Sequence, residues 1–546
     1  MRIQRLIRRN GGSVTFIAIM MMVMLTLIGL AAIKLANDEI NIAGNEMNET
    51  IAFYAAEAGL EKAAATLQNS YEQSSITLTA MPAGNEVESD ASIAYVTSDK
   101  GPSVQKQLTQ GTLAGLNALV KTYEIKSIGT SLKQGSQVTL IQDFECALVP
   151  IFQFAVFYDN DLEIAPGPDM TLIGRVHTNG NLWLQAGTGS RLNMHSYVTA
   201  SGDIYHGRKG PGGVTDGDVY IKDTDGNYQN MKNTDGSFLS SVDADWYDSA
   251  SVRWGGRVQD KAFGQEALNL PLNNQGDAHK LIERASGNPD SYENKATMRI
   301  IDGSVETKVG NSWVNIDASL PAGTISSKTF YDGRELTNVN ATEIDISLLK
   351  TSSYYPSNGV VYFSDSRAGF NSARLVNGSD IGQPLAFFSE NPIYVQGDFN
   401  NVSKKPVALA GDAITFLSNS WSDSTSTLTK ADRKASETTV NASVMTGDIN
   451  TTSTNYNGGL ENLPRFLEDW DTITFNYSGS LVNLWNSHQA TGTWNSVYYT
   501  PPNRIWSYDT DLDDPAKLPP ETPMVRVFQR TGWKQEDISY SLNSTN

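Results

Sequence analysis

From residue 13 to residue 33 no position is charged, and only Ser13, Thr15, Thr26 and Gly29 interrupt a run of Met, Leu, Ile, Val, Phe and Ala. About 20 apolar residues are enough to span a bilayer, so this pattern predicts a transmembrane helix. Beyond it the pattern changes with no proline in between. Ala36, Ile40, Ala43, Met47, Ile51, Tyr54 and Ala58 recur at steps of three or four, which is the period of one helical face. Asp38, Glu39, Glu46, Glu49, Glu57 and Lys62 fall on the other face. The two halves read as a single helix over residues 13–68, apolar all round and then amphipathic. Its residues 14–67 would extend about 80 Å at about 1.5 Å per residue.

The remainder reads as β structure. Residues 69–150 form a connecting region whose second half, KTYEIKSIGTSLKQGSQVTLIQDFECALV, alternates polar and apolar positions around glycine turns and predicts a hairpin. RVHTNGNLW at 175–183 and YVTASGDIY at 197–205 align without gaps, 22 residues apart, with Gly180 on Gly202. The step of glycine, Asp or Asn, then an apolar residue returns at Gly217, Gly397, Gly411 and Gly447. A glycine turns the chain, the polar side chain satisfies free backbone groups, and the apolar residue starts a new strand. The spacing predicts β-solenoid-like coils over 151–206, with Val176 above Val198 and Leu182 above Ile204; sandwich hairpins are the alternative. Residues 207–349, polar but containing Trp246, Trp254 and Trp313, read as an inserted subdomain. Residues 350–546 read as a β-rich C-terminal part with one helix over 459–470. Leu460, Leu463, Phe466 and Leu467 would share a face of that helix, and Glu461 and Arg465 would pair.

The N-terminal residues also carry a family resemblance. A basic leader, with Arg2, Arg5, Arg8 and Arg9 and ending at Gly11 and Gly12, precedes the apolar span and AGNEMNETIAFYAAEAGLEKA at 43–63. Over about the first 70 residues this resembles PilX-like type IV pilus assembly proteins, most specifically in FYAAEAGLE at 53–61. The resemblance implies a leader over 1–12 cut by a prepilin-type peptidase between Gly12 and Ser13. It implies a retained helix that anchors in the inner membrane and later packs against other pilin-like subunits, through the face Ala36, Ile40, Ala43, Met47, Ile51, Tyr54 and Ala58. Major pilins usually carry a glutamate and often a proline where this chain has Ile17 and Lys34, which implies a minor subunit.

Charge and composition narrow the rest. The net charge of -19 repels phosphate backbones, so nucleic acid is not an expected partner. The excess of arginine before the span places the N-terminus in the cytoplasm and the bulk of the chain outside it. With a single cysteine, Cys146, there is no disulfide framework. His177, His195 and His206 are too unevenly spaced to share one rung. DTDGN at 223–227 lacks the terminal glutamate of a calcium loop and reads as an Asp-Gly turn. No nucleophile elbow, phosphate loop or zinc-protease motif occurs in the sequence. The fold class is α+β, with a long pilin-like transmembrane helix followed by a large β-rich domain. The expected function is that of a structural or assembly subunit of a type IV pilus or type II secretion-like filament, not an enzyme, with no cofactor and no metal. The alternative is a membrane-tethered β-helix protein that binds or cleaves polysaccharide, with a glycan or surface ligand as its partner.

Overall fold

A computed structural model describes residues 11–73, 77–78, 80–210, 213–273, 277–452 and 455–540, with 11–12 and 537–540 described by backbone alone. They fall into two compact units. One holds residues up to 103, 121–146 and those from 528; the other holds 104–120 and 147–527.

In the first unit, helix α1 (Gly11–Gln73) runs unbroken for 63 residues, about 95 Å at the standard rise. Its C-terminal half lies on a sheet ordered Ala83–Glu88, Ala91–Asp99, Asn117–Ser131, Ser136–Pro150 and Met524–Tyr540. The expected hairpin supplies the third and fourth of these strands, each 15 residues long, and Gly135 closes its turn onto the Ser131 carbonyl. Ala52, Ala56, Leu60, Ala63, Ala64, Leu67 and Tyr71 of the helix are buried against Tyr123, Ile125, Val138, Leu140, Phe144 and Cys146. Small residues let the two layers come close. A Cβ on Gly129 would sit 2.0 Å from the Ala52 carbonyl oxygen and 2.4 Å from the Ala56 nitrogen, so only glycine fits there.

The second unit is dominated by parallel pairing. Arg175–Thr178 pairs in parallel with Val198–Ala200, Val176 opposite Val198, and Leu182–Leu184 pairs in parallel with Ile204–His206, Leu182 opposite Ile204. The 22-residue alignment therefore gives the observed register, and all four residues are buried in one core. A twelve-stranded sheet carries this pattern through the unit. From Phe154–Tyr158 it proceeds one way through Arg175–Thr178 and Val198–Ala200 to Val258–Gln259. On the other side of Phe154–Tyr158 come Leu481–Asn483, Ser443–Thr446, Val407–Gly411, Leu385–Ser389, Val360–Ser364 and Met298–Ile301, each parallel to its neighbour. The chain thus winds outward from the middle, restarts at the far end and returns to the first strand.

Three expectations need correction. Residues 207–349 are not a separate subdomain. Asp218–Lys222 extends the ladder of Arg191–Met194, Met298–Ile301 extends that of Val360–Ser364, and Thr337–Asp345 pairs in parallel with Phe370–Val376. Polar composition misled here because these strands bury only alternate residues, as in Asp218–Lys222. The helix expected over 459–470 is a 3-10 turn, Leu460–Asn462, followed by a two-residue strand, Arg465–Phe466, parallel to Thr415 and Phe416. Leu463 keeps helical backbone angles, but Pro464 has no N–H to donate back to Leu460, and the ladder captures the two residues after the proline. Leu460, Leu463, Phe466 and Leu467 are buried nonetheless, and Arg465 pairs with Glu335 at 2.7 Å rather than with Glu461. Finally, Gly180 and Gly202 do not have positive φ. They are required by stacking: the Gly202 N–H donates to the Gly180 carbonyl at 2.9 Å, and a Cβ on Gly202 would lie 2.3 Å from Asn181 Oδ1.

Candidate assembly helix

The outer half of α1 presents apolar side chains to its surroundings on every side. Val14, Phe16, Ile17, Met22, Leu25, Ile28 and Leu35 are between 55% and 70% exposed, and the most apolar stretch, of mean hydropathy 2.7, has no buried residue. Among the described residues this is the one helix long and apolar enough to cross a membrane. No carboxylate lies in it before Asp38, and Ile17 is an exposed hydrophobe.

Further along, the helix has two distinct stripes. One, Asn48, Ala52, Ala56, Leu60, Ala63, Leu67 and Tyr71, is seated on the sheet, and Ser131 donates to Asn48 Oδ1 at 2.7 Å. The stripe predicted for assembly lies elsewhere: Ala36, Ile40, Ala43, Met47, Tyr54 and Ala58 are exposed and Ile51 is half-buried. The seated stripe escaped sequence reading because alanine is a weak hydrophobic signal. Its four-residue spacing, together with Gly129 in the facing strand, was the clue available. Gly12 and Ser13 stand in the first turn of α1, whereas leader residues 1–10 lie outside the described residues. Cys146, beneath the helix, is a core residue whose thiol burial pushes up to about 12, which makes it a poor nucleophile.

The other singled-out residues have structural partners. His177 is fully buried between Thr199 at 2.8 Å and Asn179 at 2.9 Å, and burial lowers its pKa to about 4. His195 meets Tyr228, and His206 stacks on Phe238, so these three histidines do not converge. Asp223 closes the turn between Asp218–Lys222 and Tyr228–Asn230, accepting the N–H groups of Asp225 and Asn227. Asp509 and Asp511 both pair with Lys404 at 2.7 Å, and Lys404 and Lys517 together hold the Asp511 carboxyl down at about 2. At the corners of the ladder, Asp161 accepts the Asn181 N–H and Asn181 the Asp203 N–H, both at 2.8 Å, so these polar side chains serve the backbone.

Residues 11–61 match the family model PilX N-terminal, and over that segment the chain is PilX-like. No curated protein matches the chain. Among solved structures, the competence-associated pilin ComZ from Thermus thermophilus is similar at 12% identity, with 90% of this chain and 98% of that chain covered and a TM-score of 0.29.

Proposed function

We propose that this chain is a minor pilin-like subunit of a type IV pilus or a type II secretion-like filament. The observation that carries the reading is one continuous helix in two states: its first turns expose hydrophobes on all sides, and its later turns are fastened along a single stripe to a sheet. An apolar surface of that extent needs lipid or neighbouring helices, and a single rod can meet both needs in turn. The arginines at 2, 5, 8 and 9 orient the span in the inner membrane with the N-terminus cytoplasmic. A prepilin-type peptidase removes residues 1–12, and in the filament the stripe from Ala36 to Ala58 packs on other subunits. The parallel ladders of the second unit are coils of a β-solenoid displayed outside the cytoplasm. Its role is structural and not catalytic. Ile17, in place of a carboxylate able to pair with a neighbour's amine, suits a subunit used once or a few times over one that repeats along the filament.

Mass spectrometry of the protein isolated from its membrane tests the reading. A mature chain beginning at Ser13 is expected. A chain retaining Met1, or one cut after Ala32 as a secretory signal would be, overturns it.

A further inference from the structure

Two of the five histidines do converge. His279 lies in the 3-10 turn Ala278–Leu281, and His488 comes after the strand Leu481–Asn483. Their rings stand 3.6 Å apart between centroids, with planes 25° from parallel. Glu283 brings Oε1 to 2.8 Å from His279 Nδ1. One ligand atom from each of these three side chains lies within 4.8 Å of the other two.

Behind them stands Asp412, the aspartate of the Gly-Asp-Ala-Ile step at 411–414, with a fully buried side chain. It accepts the backbone N–H groups of His488, Gln489 and Ala490, the last at 2.7 Å, and so fixes the segment that carries His488. The same carboxylate places Oδ1 3.6 Å from His279 Nε2, a buried nitrogen with no hydrogen-bond partner. A histidine with one nitrogen toward a supporting carboxylate and the other toward a carboxylate and a second imidazole has the layout of a metal ligand with its outer-shell partner.

We propose that His279 through Nδ1, Glu283 through Oε1 and a ring nitrogen of His488 bind one zinc ion, with Asp412 as the positioning residue. Two imidazoles and one carboxylate suit zinc, whereas calcium and magnesium prefer oxygen alone. Ligand atoms around tetrahedral zinc lie about 3.4 Å apart, so the group closes by up to about 1.4 Å as the exposed His488 ring turns out of its stack on His279. Lys280 Nζ, paired with Glu283 Oε2, holds that oxygen and leaves Oε1 to the ion. On binding, His279 releases its Nδ1 proton to solvent and keeps the one on Nε2, directed at Asp412. The ion ties the turn at 278–283 to the segment at 485–490 and leaves its fourth position to water. This inference does not depend on the helix being a pilin helix. From the sequence alone no metal is expected, because residues 209 apart in a chain with scattered histidines carry no ligand spacing.

The test uses the full-length protein in detergent, stripped with a chelator and dialysed against zinc chloride, with bound metal counted by elemental mass spectrometry. One zinc per chain is expected, with affinity at least tenfold weaker in His488→Ala and in Glu283→Gln. Cobalt in place of zinc should give the visible bands of a tetrahedral site in the parent and lose them in His488→Ala. Circular dichroism checks that both variants fold, and His488 is exposed, so its removal should leave the core intact. A folded parent that retains no zinc overturns the proposal. So does zinc retained undiminished by both variants, since the ion would then sit elsewhere; in that case His279 is simply a buried ring held between Glu283 and Asp412.

Discussion

At the scale of residues, the corners of the ladder are the most constrained places in the second unit. Gly202→Ala would push a methyl group into Asn181 Oδ1 and toward the Gly180 carbonyl, 2.8 Å away, both tied into the corner. The expected loss is about 1–3 kcal/mol, typical of overpacking. Gly167→Ala, where nothing lies within 4 Å, should be nearly neutral; urea unfolding midpoints of the two variants provide the comparison. Glu468 is constrained in another way. Burial raises its carboxyl from 4.5 to about 7 against the opposing hydrogen bonds from Ser418 and the charge of Arg433. Between those values the folded chain holds a proton that the unfolded chain releases, so this group's contribution to stability falls as pH rises from 4.5 to 7. Glu468→Gln removes that slope. Relative to the parent, the variant should gain up to about 1.4 kcal/mol per pH unit across this window. Unfolding both proteins at about pH 5 and about pH 7 checks the sign, and a difference independent of pH would mean that Glu468 is ionised throughout.

At the scale of elements, α1 separates two kinds of helical face that composition alone does not tell apart. Ala56 is fully buried on the sheet, whereas Ala43 and Ala58 are exposed. Lysine at 56 would bury an unpaired charge, at a cost of about 4 kcal/mol or more, and should unfold or release the first unit. Lysine at 43 or 58 should leave folding untouched but abolish co-purification with other pilus subunits. Pull-down from cells, with circular dichroism of the purified variants, separates the outcomes. Full assembly by the Ala43→Lys, Ala58→Lys double variant would reduce α1 to a plain anchor.

At the scale of the whole molecule, the second unit closes on itself late in the chain. Leu481 pairs with Val156, 325 residues earlier, and between them lies the whole two-armed ladder. Such a contact carries a large loop-closure cost and forms late in folding. Until it forms, Phe154–Tyr158 and Ser443–Thr446 each present an unpaired strand edge, which invites aggregation. In detergent, a chain ended before Leu481 should therefore elute as aggregate on size exclusion while the full chain stays monodisperse. A monodisperse truncated protein would show that this closure is dispensable.

The long helix, the hairpin beneath it and the register of Val176 on Val198 were legible in the sequence, because each rests on a local period or on two similar segments close together. The apolar face of the span follows from composition alone. The seated stripe of α1 was not legible, since small residues pack by what faces them, and Gly129 faces Ala52 only after folding. Nor was the two-directional winding, because polar alternating strands such as Asp218–Lys222 resemble loops until a neighbour pairs with them. The helix expected over 459–470 had the right apolar residues at the right positions, but Pro464 and the ladder at Thr415 decided their backbone. Most distant of all was the meeting of His279, Glu283 and His488 over Asp412. Local pattern specifies elements because helical hydrogen bonds and the alternation of side chains along a strand are set within a few residues; which strands pair, and which residues hundreds of positions apart meet in a site, depends on how those elements stack, which only the tertiary structure decides.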